Sequence, residues 1–245
     1  MGESITTYRL PKTTGLKQYD HARREPMRRF LRWLMDQIAW TFLVKIKAVE
    51  GLDNFPMTGP AILMINHIAF VDPVVVMGHV PRNIVPMAKV EVYKIPGWGI
   101  FPRLWDVIPV HREELDRRAL ERAIAVLNAG EIILVAPEGT RHSAMRDTKE
   151  GLAYLALKTG APTVPIAITG TPGFPRPRFM WGKREGAVVR IGKPFRFKPV
   201  TGRPPRELLR KMTDEAMYII AAMLPEELRG EYNDLGKATR ETIEG

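Results

Sequence analysis

The chain has 245 residues, 45% of them hydrophobic, which suffices to bury the core of one large domain. It contains no cysteine, which excludes disulfides, a thiolate nucleophile and cysteine-ligated zinc. Lys and Arg number 37 against 27 Asp and Glu, and the net charge of +10 predicts an anionic partner, such as phospholipid headgroups, phosphorylated substrates or nucleic acid.

The first segment, residues 1–48, is predicted to be a basic arm followed by an amphipathic helix. Residues 1–26 are polar and lack periodicity, and no apolar leader segment stands out among them. Between Met27 and Ile46 the helical period puts the basic residues on one narrow stripe and apolar residues around the rest. That stripe contains Arg28, Arg29 and Arg32.

Two interpretations of this helix stay open. It lies in a membrane interface, with Trp33 and Trp40 at headgroup level and its arginines toward anionic lipid, or it is an ordinary helix covering the core. A helix that spans a bilayer needs about 20 mostly apolar residues. No stretch of this chain meets that requirement, so we expect peripheral or monotopic association at most.

The second segment, residues 49–245, alternates short apolar runs with helical patterns, which predicts an α/β fold with a single mixed sheet flanked by helices. The predicted strands are Ala61–Ile65, Ile84–Ala88, Val107–Val110, Glu131–Ala136, Thr163–Thr169 and Ala187–Ile191. The predicted helices are Glu113–Ala129, Lys149–Thr159 and Pro204–Leu224, with one more beginning at Asp72-Pro73. Residues 170–184, rich in Pro and Gly, are predicted to form a long surface loop.

Several common chemistries lack their motifs. Ser4 and Ser143 are the two serines, and neither stands in G-x-S-x-G. Phosphate-cradling glycine loops and histidine-pair zinc motifs are absent from the sequence as well, so no metal is expected.

A histidine and an aspartate stand at the end of the strand Ala61–Ile65. His67 follows this strand, and Asp72-Pro73 has the form of a helix start, so a tight turn brings the aspartate back toward the imidazole. An aspartate that accepts from one imidazole nitrogen leaves the other nitrogen as a base. The alternative is a helix cap beside an incidental histidine.

A second group of polar residues follows the apolar strand Glu131–Ala136. An open α/β sheet presents ligand groups at the carboxyl ends of its strands. There Arg141 offers a planar fork for phosphate, and Gly139 lets backbone N–H groups approach it. Taken alone, this hexapeptide, residues 136–141, fits an ordinary β-turn with a solvated arginine better than a ligand site.

Together these motifs resemble the signatures of the 1-acyl-glycerol-3-phosphate acyltransferases, a family of glycerolipid acyltransferases. The first motif is Asn66-His67 with Asp72, and the third is Glu138-Gly139-Thr140-Arg141. The second runs from Lys89 through Pro96-Gly97-Trp98-Gly99 to Arg112, and the fourth is Val164-Pro165-Ile166. The order and spacing cover roughly residues 50–195. The family usually has a glycine near Trp105-Asp106, which this chain lacks.

The resemblance implies that His67 is the general base and Asp72 its orienting partner. It implies phosphate binding by Lys89, Arg112 and Arg141, and a site-orienting or acceptor-binding role for Glu138. Asn66, Gly139 and Thr140 complete the expected substrate site.

The expected reaction is acyl transfer from acyl-CoA or acyl carrier protein, as co-substrate with no other cofactor, to lysophosphatidic acid. We expect it at the anionic phospholipid surface on the cytoplasmic face of the cell membrane. Alternatives are another acceptor (a glycolipid, an ornithine lipid or glycerol 3-phosphate) and a non-catalytic lipid-binding protein of the same fold. A nucleic-acid partner is not expected, because basic residues interleaved with stacking aromatics are missing.

Overall fold

The computed structural model describes residues 19–38, 40, 44–111, 116–139, 142–146, 149–182 and 185–244. Its strands are β1 (Ile46–Glu50), β2 (Ala61–Ile65), β3 (Val85–Lys89), β4 (Ile108–Val110), β5 (Ile132–Val135), β6 (Thr163–Thr169), β7 (Ala187–Ile191), β8 (Arg196–Phe197) and β9 (Ile243–Glu244). Its α-helices are α1 (His21–Ile38), α2 (Asp72–His79), α3 (Ile100–Trp105), α4 (Arg117–Asn128), α5 (Gly151–Thr159), α6 (Arg206–Met223) and α7 (Glu226–Arg229).

Seven strands form one mixed sheet in the order β1-β7-β6-β2-β5-β3-β4. The five strands from β6 to β4 run parallel to one another, whereas β7 pairs antiparallel with β6. The central strand β2 is buried at all five residues because helices cover both faces of the sheet. The carboxyl ends of β2, β3, β4 and β5 therefore meet at one edge of the sheet.

Each face of the sheet has its own core. One core is formed with α4, α5 and α6, whose buried residues include Ala123, Leu155 and Met217. The other is formed with α1, α2 and α3, and includes Leu31 and Trp105. The mixed sheet between two helical layers confirms the predicted fold class.

The six predicted strands are all present, with ends shifted by one residue at most. The helix predicted from Met27 to Ile46 was placed wrongly, since α1 begins at His21 and β1 starts at Ile46. β1 pairs with β7 at the sheet edge, so the division drawn between residues 48 and 49 falls inside a strand of the sheet. The helix α3 was not predicted because its six residues are too few to show a helical period.

Two of the three arginines in the predicted stripe, Arg28 and Arg32, are turned toward the protein, whereas Arg29 is exposed and pairs with Glu25. Arg28 is fully buried and donates from Nε to the carbonyl of Trp105 at 2.9 Å. Arg32 donates to the carbonyl oxygens of Gly78 and Val80, at the end of α2. A helix C-terminus leaves carbonyl groups unpaired and attracts cations, so these two arginines attach α1 to the protein rather than to lipid.

The face of α1 that is turned outward is apolar instead. Phe30 is 53% exposed and Trp33 is 56% exposed, and their rings stack with centroids 6.0 Å apart. Trp40 does not share this face, because its ring packs on His79 and its Nε1 donates to Asp36. Among the residues that the structure describes, none of the helices has the length and apolar content required to cross a bilayer.

Candidate active site

A cavity of about 730 Å³ opens at the sheet edge where β2, β3, β4 and β5 end. Its walls are mainly apolar, with Phe70 and Trp98 in edge-to-face contact at a centroid distance of 5.6 Å. Polar groups from several segments of the chain also line its wall. These groups include His67, Lys89, His111, Gly139 and Lys149. An apolar cavity with a few polar groups at one edge suits a ligand with a long apolar part and a polar head.

His67 and Asp72 lie together at this cavity. The Nδ1 atom of His67 is 3.1 Å from Oδ2 of Asp72, whose side chain is completely buried. A carboxylate oxygen can only accept, so Nδ1 carries the ring proton and Nε2 keeps its lone pair in the neutral ring. The imidazole is partly exposed and lines the cavity wall. This arrangement provides an oriented base beside a space for substrate.

Asp72 does not act as the cap of α2, which was the alternative explanation of its position. The N-cap position of α2 is Val71, and Oδ1 of Asp72 has no hydrogen-bond partner among the described residues. Its Oδ2 instead accepts from the backbone N–H groups of Ile68 and Ala69, at 2.8 and 2.7 Å. Three donors thus converge on one buried oxygen and hold the turn that carries His67.

Glu138 lies buried beside this pair, with 6% of its surface exposed. Burial, together with the nearby charge of Asp72, raises the pKa of Glu138 to about 8. Hydrogen bonds from the backbone N–H groups of His67 and Arg146 act in the opposite direction. The Oε1 atom of Glu138 is buried without a hydrogen-bond partner in the described residues. A carboxyl group that is neutral at pH 7 therefore accepts from the backbone N–H of His67.

Asn66 has a structural role in the sheet. Its amide oxygen accepts from the N–H of Ile168 at 2.8 Å, and its amide nitrogen donates to the carbonyl of the same residue at 2.9 Å. The side chain is fully buried, so it fastens the end of β2 to β6. The amide of Asn66 is turned to the sheet rather than to the cavity. Substrate binding by this residue stays a prediction.

The other predicted substrate residues differ in what the structure describes. Lys89 ends β3 on the cavity wall, and its role as a phosphate ligand stays a prediction. Gly139 lines the cavity at φ 66°, and its N–H is used in a turn with the carbonyl of Ala136. Arg112, Thr140 and Arg141 lie outside the described residues, so their roles stay predictions.

A second pair on the same cavity was missed in the sequence. His111 follows β4, and its Nδ1 is 2.8 Å from Oδ2 of Asp116, the residue that caps α4. The spacing from His111 to Asp116 equals that from His67 to Asp72, so a search for repeated H-x-x-x-x-D would have found it.

The conformation of Asp106 explains a departure from the family pattern, which usually has a glycine near this position. It follows α3 at φ 63° and ψ 47°, in the left-handed region that glycine adopts most easily. Aspartate tolerates this conformation better than most residues, and here its carboxylate pairs with Arg24 and Arg122.

Comparisons with known proteins agree with this fold. A family model described as Acyltransferase matches residues 47–169. The 1-acyl-sn-glycerol-3-phosphate acyltransferase of Bacillus subtilis is 30% identical over 167 residues, covering 68% of this chain and 82% of that protein. The protein of the same name from Borreliella burgdorferi is 34% identical over 139 residues, and the match covers 55% of each.

A solved structure gives the same result. The crystal structure of the 1-acyl-sn-glycerophosphate acyltransferase PlsC from Thermotoga maritima superposes with a TM-score of 0.54 and 25% identity, covering 82% of this chain and 81% of that one. Fold and motif order are thus those of an acyltransferase. More narrowly, the chain belongs to the 1-acyl-sn-glycerol-3-phosphate acyltransferase family, as the four motifs predicted.

Proposed function

We propose that this protein transfers a fatty acyl chain from an acyl thioester to the free hydroxyl of lysophosphatidic acid, giving phosphatidic acid. The observation that carries this proposal is the His67–Asp72 pair, with Nδ1 and Oδ2 3.1 Å apart, on the wall of the 730 Å³ apolar cavity. The relatives from Bacillus subtilis and Borreliella burgdorferi are named as 1-acyl-sn-glycerol-3-phosphate acyltransferases, which supports the same acceptor.

The geometry suits direct transfer between the two substrates. Nε2 of His67 takes the proton of the acceptor hydroxyl while the oxygen attacks the thioester carbonyl. The resulting tetrahedral intermediate collapses, the carbon–sulfur bond breaks, and the departing thiolate takes the proton from the imidazolium. The products are an ester and a free thiol. The chain contains no cysteine to form a thioester intermediate, so a ternary complex is the simpler route.

Substrate placement follows from the distribution of polarity in the cavity. Apolar walls accommodate the acyl chains, while Lys89 at the end of β3 faces the phosphate. Arg112 and Arg141 are proposed as the remaining phosphate ligands, on the basis of the motifs alone. The donor is acyl-CoA or acyl carrier protein.

The test is release of free thiol from palmitoyl-CoA, measured with and without lysophosphatidic acid. We expect release to depend on the acceptor and to fall about 10²- to 10⁴-fold in His67→Gln, because a positioned general base contributes about that much. His79→Gln is the matched control, since this histidine lies at the end of α2 and bonds to a backbone carbonyl. A His67→Gln protein that folds and retains parental turnover would refute the mechanism.

A panel of acceptors decides between the remaining alternatives. Glycerol 3-phosphate, a lyso-ornithine lipid and a glycolipid are tested at the same donor concentration. A higher kcat/KM with one of these identifies it as the acceptor while leaving the role of His67 intact. Binding of lysophosphatidic acid without turnover of any acceptor would instead indicate a lipid-binding protein.

We also propose that the protein binds the cytoplasmic face of the cell membrane through the outward face of α1. Phe30 and Trp33 are more than half exposed there, with Met27 and Leu34 beside them. Large apolar and aromatic residues exposed on one helix face are typical of interfacial helices. Because Arg28 and Arg32 are turned inward, this binding depends on apolar insertion more than the sequence alone predicted.

The membrane proposal is tested with Phe30→Glu combined with Trp33→Glu. Neither side chain supports the core, so the melting temperature should stay near that of the parent, while sedimentation with vesicles of phosphatidylglycerol and phosphatidylethanolamine should fall. Met57→Glu is the control, an exposed apolar residue preceding β2 at the opposite sheet edge from the cavity. Unchanged sedimentation of the stable double variant would refute this role.

A further inference from the structure

The cavity carries two histidine–aspartate pairs of the same construction. In each, the aspartate follows the histidine by five positions, and its Oδ2 lies near Nδ1 of the ring, at 3.1 Å for His67 and 2.8 Å for His111. In each, the same Oδ2 also accepts a backbone N–H, which for Asp116 is that of His111 itself at 2.8 Å. The proposed transfer uses only the first pair.

Exposure separates the two pairs. The His67 side chain is 17% exposed and Asp72 is fully buried, whereas His111 is 73% exposed and Asp116 is 10% exposed. A base that removes a hydroxyl proton works best where water is excluded. His111 is open to water, so its position suits recognition of a charged group better than proton abstraction.

The fixed tautomer of His111 determines what it can bind. The Nδ1–H group of His111 donates to Oδ2 of Asp116, so Nε2 carries a proton only when the ring is cationic. Asp116 stays charged: burial raises its pKa, but the N–H groups of His111 and Ala119 and the His111 ring together hold that pKa below its usual value. A cationic imidazole held by a carboxylate is a charge-assisted donor to an anion.

The neighbouring strand brings a second cation to the same place. In the register of β3 with β4, Lys89 lies opposite Val110, the residue before His111. The cavity wall has charged groups of both signs, and Arg206 is paired with Glu150 at 2.9 Å. The charged groups on this wall, beside His111, are Lys89, Lys149, Arg206, Glu91, Asp116 and Glu150.

We propose that His111, held by Asp116, binds a phosphate monoester at the polar end of this cavity and thereby contributes to the choice of substrate. The cationic ring donates from Nε2 to a phosphate dianion, and the neutral ring accepts from the protonated monoanion. This inference rests on the proposed function for its biological ligand. Two sources of the same chemistry are the phosphate of lysophosphatidic acid and the 3′-phosphate of acyl-CoA.

Direct binding is measured by ¹H–¹⁵N NMR of the histidine rings in the full chain, which has five histidines, with His111→Gln to assign the resonance. The probes are glycerol 3-phosphate, adenosine 3′-phosphate and glycerol. We expect the His111 Nε2 signal to move with at least one phosphate monoester and not with glycerol. Movement with glycerol 3-phosphate identifies the acceptor as the source, and movement with adenosine 3′-phosphate identifies the donor. No movement with either overturns the proposal, whether or not the protein transfers acyl groups.

Kinetics provides the second test. In His111→Gln the KM for the phosphorylated substrate should rise about 10-fold or more, the loss typical of a charge-assisted hydrogen bond, while kcat stays within about twofold. Asp116→Asn, which keeps a good helix cap, should give a smaller rise in the same KM. Arg190→Gln, on β7 beside the edge strand β1 and away from the cavity, removes one positive charge and should change neither value.

The variants His67→Gln and His111→Gln are thus expected to have different kinetic defects. His67→Gln should lose kcat with every acceptor, whereas His111→Gln should keep kcat with neutral monoacylglycerol within about twofold when acyl-CoA is saturating. An equal loss of kcat by His111→Gln with phosphorylated and neutral acceptors would overturn the binding role, because it would show that His111 takes part in the chemistry.

Discussion

Glu138→Gln tests the charge state of the buried carboxyl group beside His67 and Asp72. The folded chain holds the pKa of Glu138 at about 8, against 4.5 for an ordinary glutamate. A group with a raised folded pKa binds its proton more tightly in the folded chain than in the unfolded one. Its contribution to stability is therefore complete below pH 4.5, declines as the pH rises, and is fully lost above pH 8.

The pH dependence of the free energy of unfolding follows from the raised pKa of Glu138. Each pH unit inside that window lowers the free energy of unfolding by about 1.4 kcal/mol, which gives about 2.5 kcal/mol between pH 5 and pH 7. Glutamine keeps the shape and the ability to accept from the N–H of His67, but it does not titrate. The stability of Glu138→Gln relative to the parent should therefore improve by about 2.5 kcal/mol from pH 5 to pH 7.

Urea unfolding followed by tryptophan fluorescence measures this difference. Glu121→Gln is the control, because this glutamate is exposed on α4 and should show little change over the same range. Activity gives a second readout, since kcat/KM of the variant should exceed that of the parent increasingly above pH 8, where Glu138 ionises beside Asp72. A stability difference that is constant from pH 5 to pH 8 would show that Glu138 is already charged, and would refute the reasoning.

Two further substitutions test residues that hold the site in place, Asp72 and Asn66. Asp72→Asn can still accept from the N–H groups of Ile68 and Ala69, so its melting temperature should stay within a few degrees of the parent, whereas thiol release should fall at least 10-fold because the charge that orients His67 is lost. Full activity of a folded Asp72→Asn would contradict that role. Asn66→Leu leaves the buried N–H and carbonyl of Ile168 unpaired, so the free energy of unfolding should drop by about 2 kcal/mol or more in urea titrations. An unchanged urea midpoint would show that the bridge between β2 and β6 is not needed.

Short-range patterns identified most of the fold and the chemical core of the site. The buried strands β2 and β6 were predicted at their observed ends, because runs of apolar residues bounded by Gly and Pro are a local property. His67 and Asp72 were paired in advance for the same reason, since a turn of five residues fixes their separation.

The orientation of α1 could not be predicted in this way. Helical periodicity separates an arginine stripe from an apolar stripe, but it does not say which stripe faces the protein. Arg28 and Arg32 are turned inward because unpaired carbonyl groups at the ends of α2 and α3 accept from them. Those carbonyls come from residues 46 to 77 positions away in the chain, which no local pattern links to α1.

The sequence by itself determined the fold class, the family and the first histidine–aspartate pair, because each depends on residues close together in the chain. Tertiary structure alone decided the rest. Glu138 acquires its raised pKa only when the sheet and its loops exclude water around it. His111 joins His67 on one cavity only because β2 and β4 run parallel in the same sheet and end at the same edge. Burial and strand order are properties of the assembled chain, and these set the electrostatics of the site.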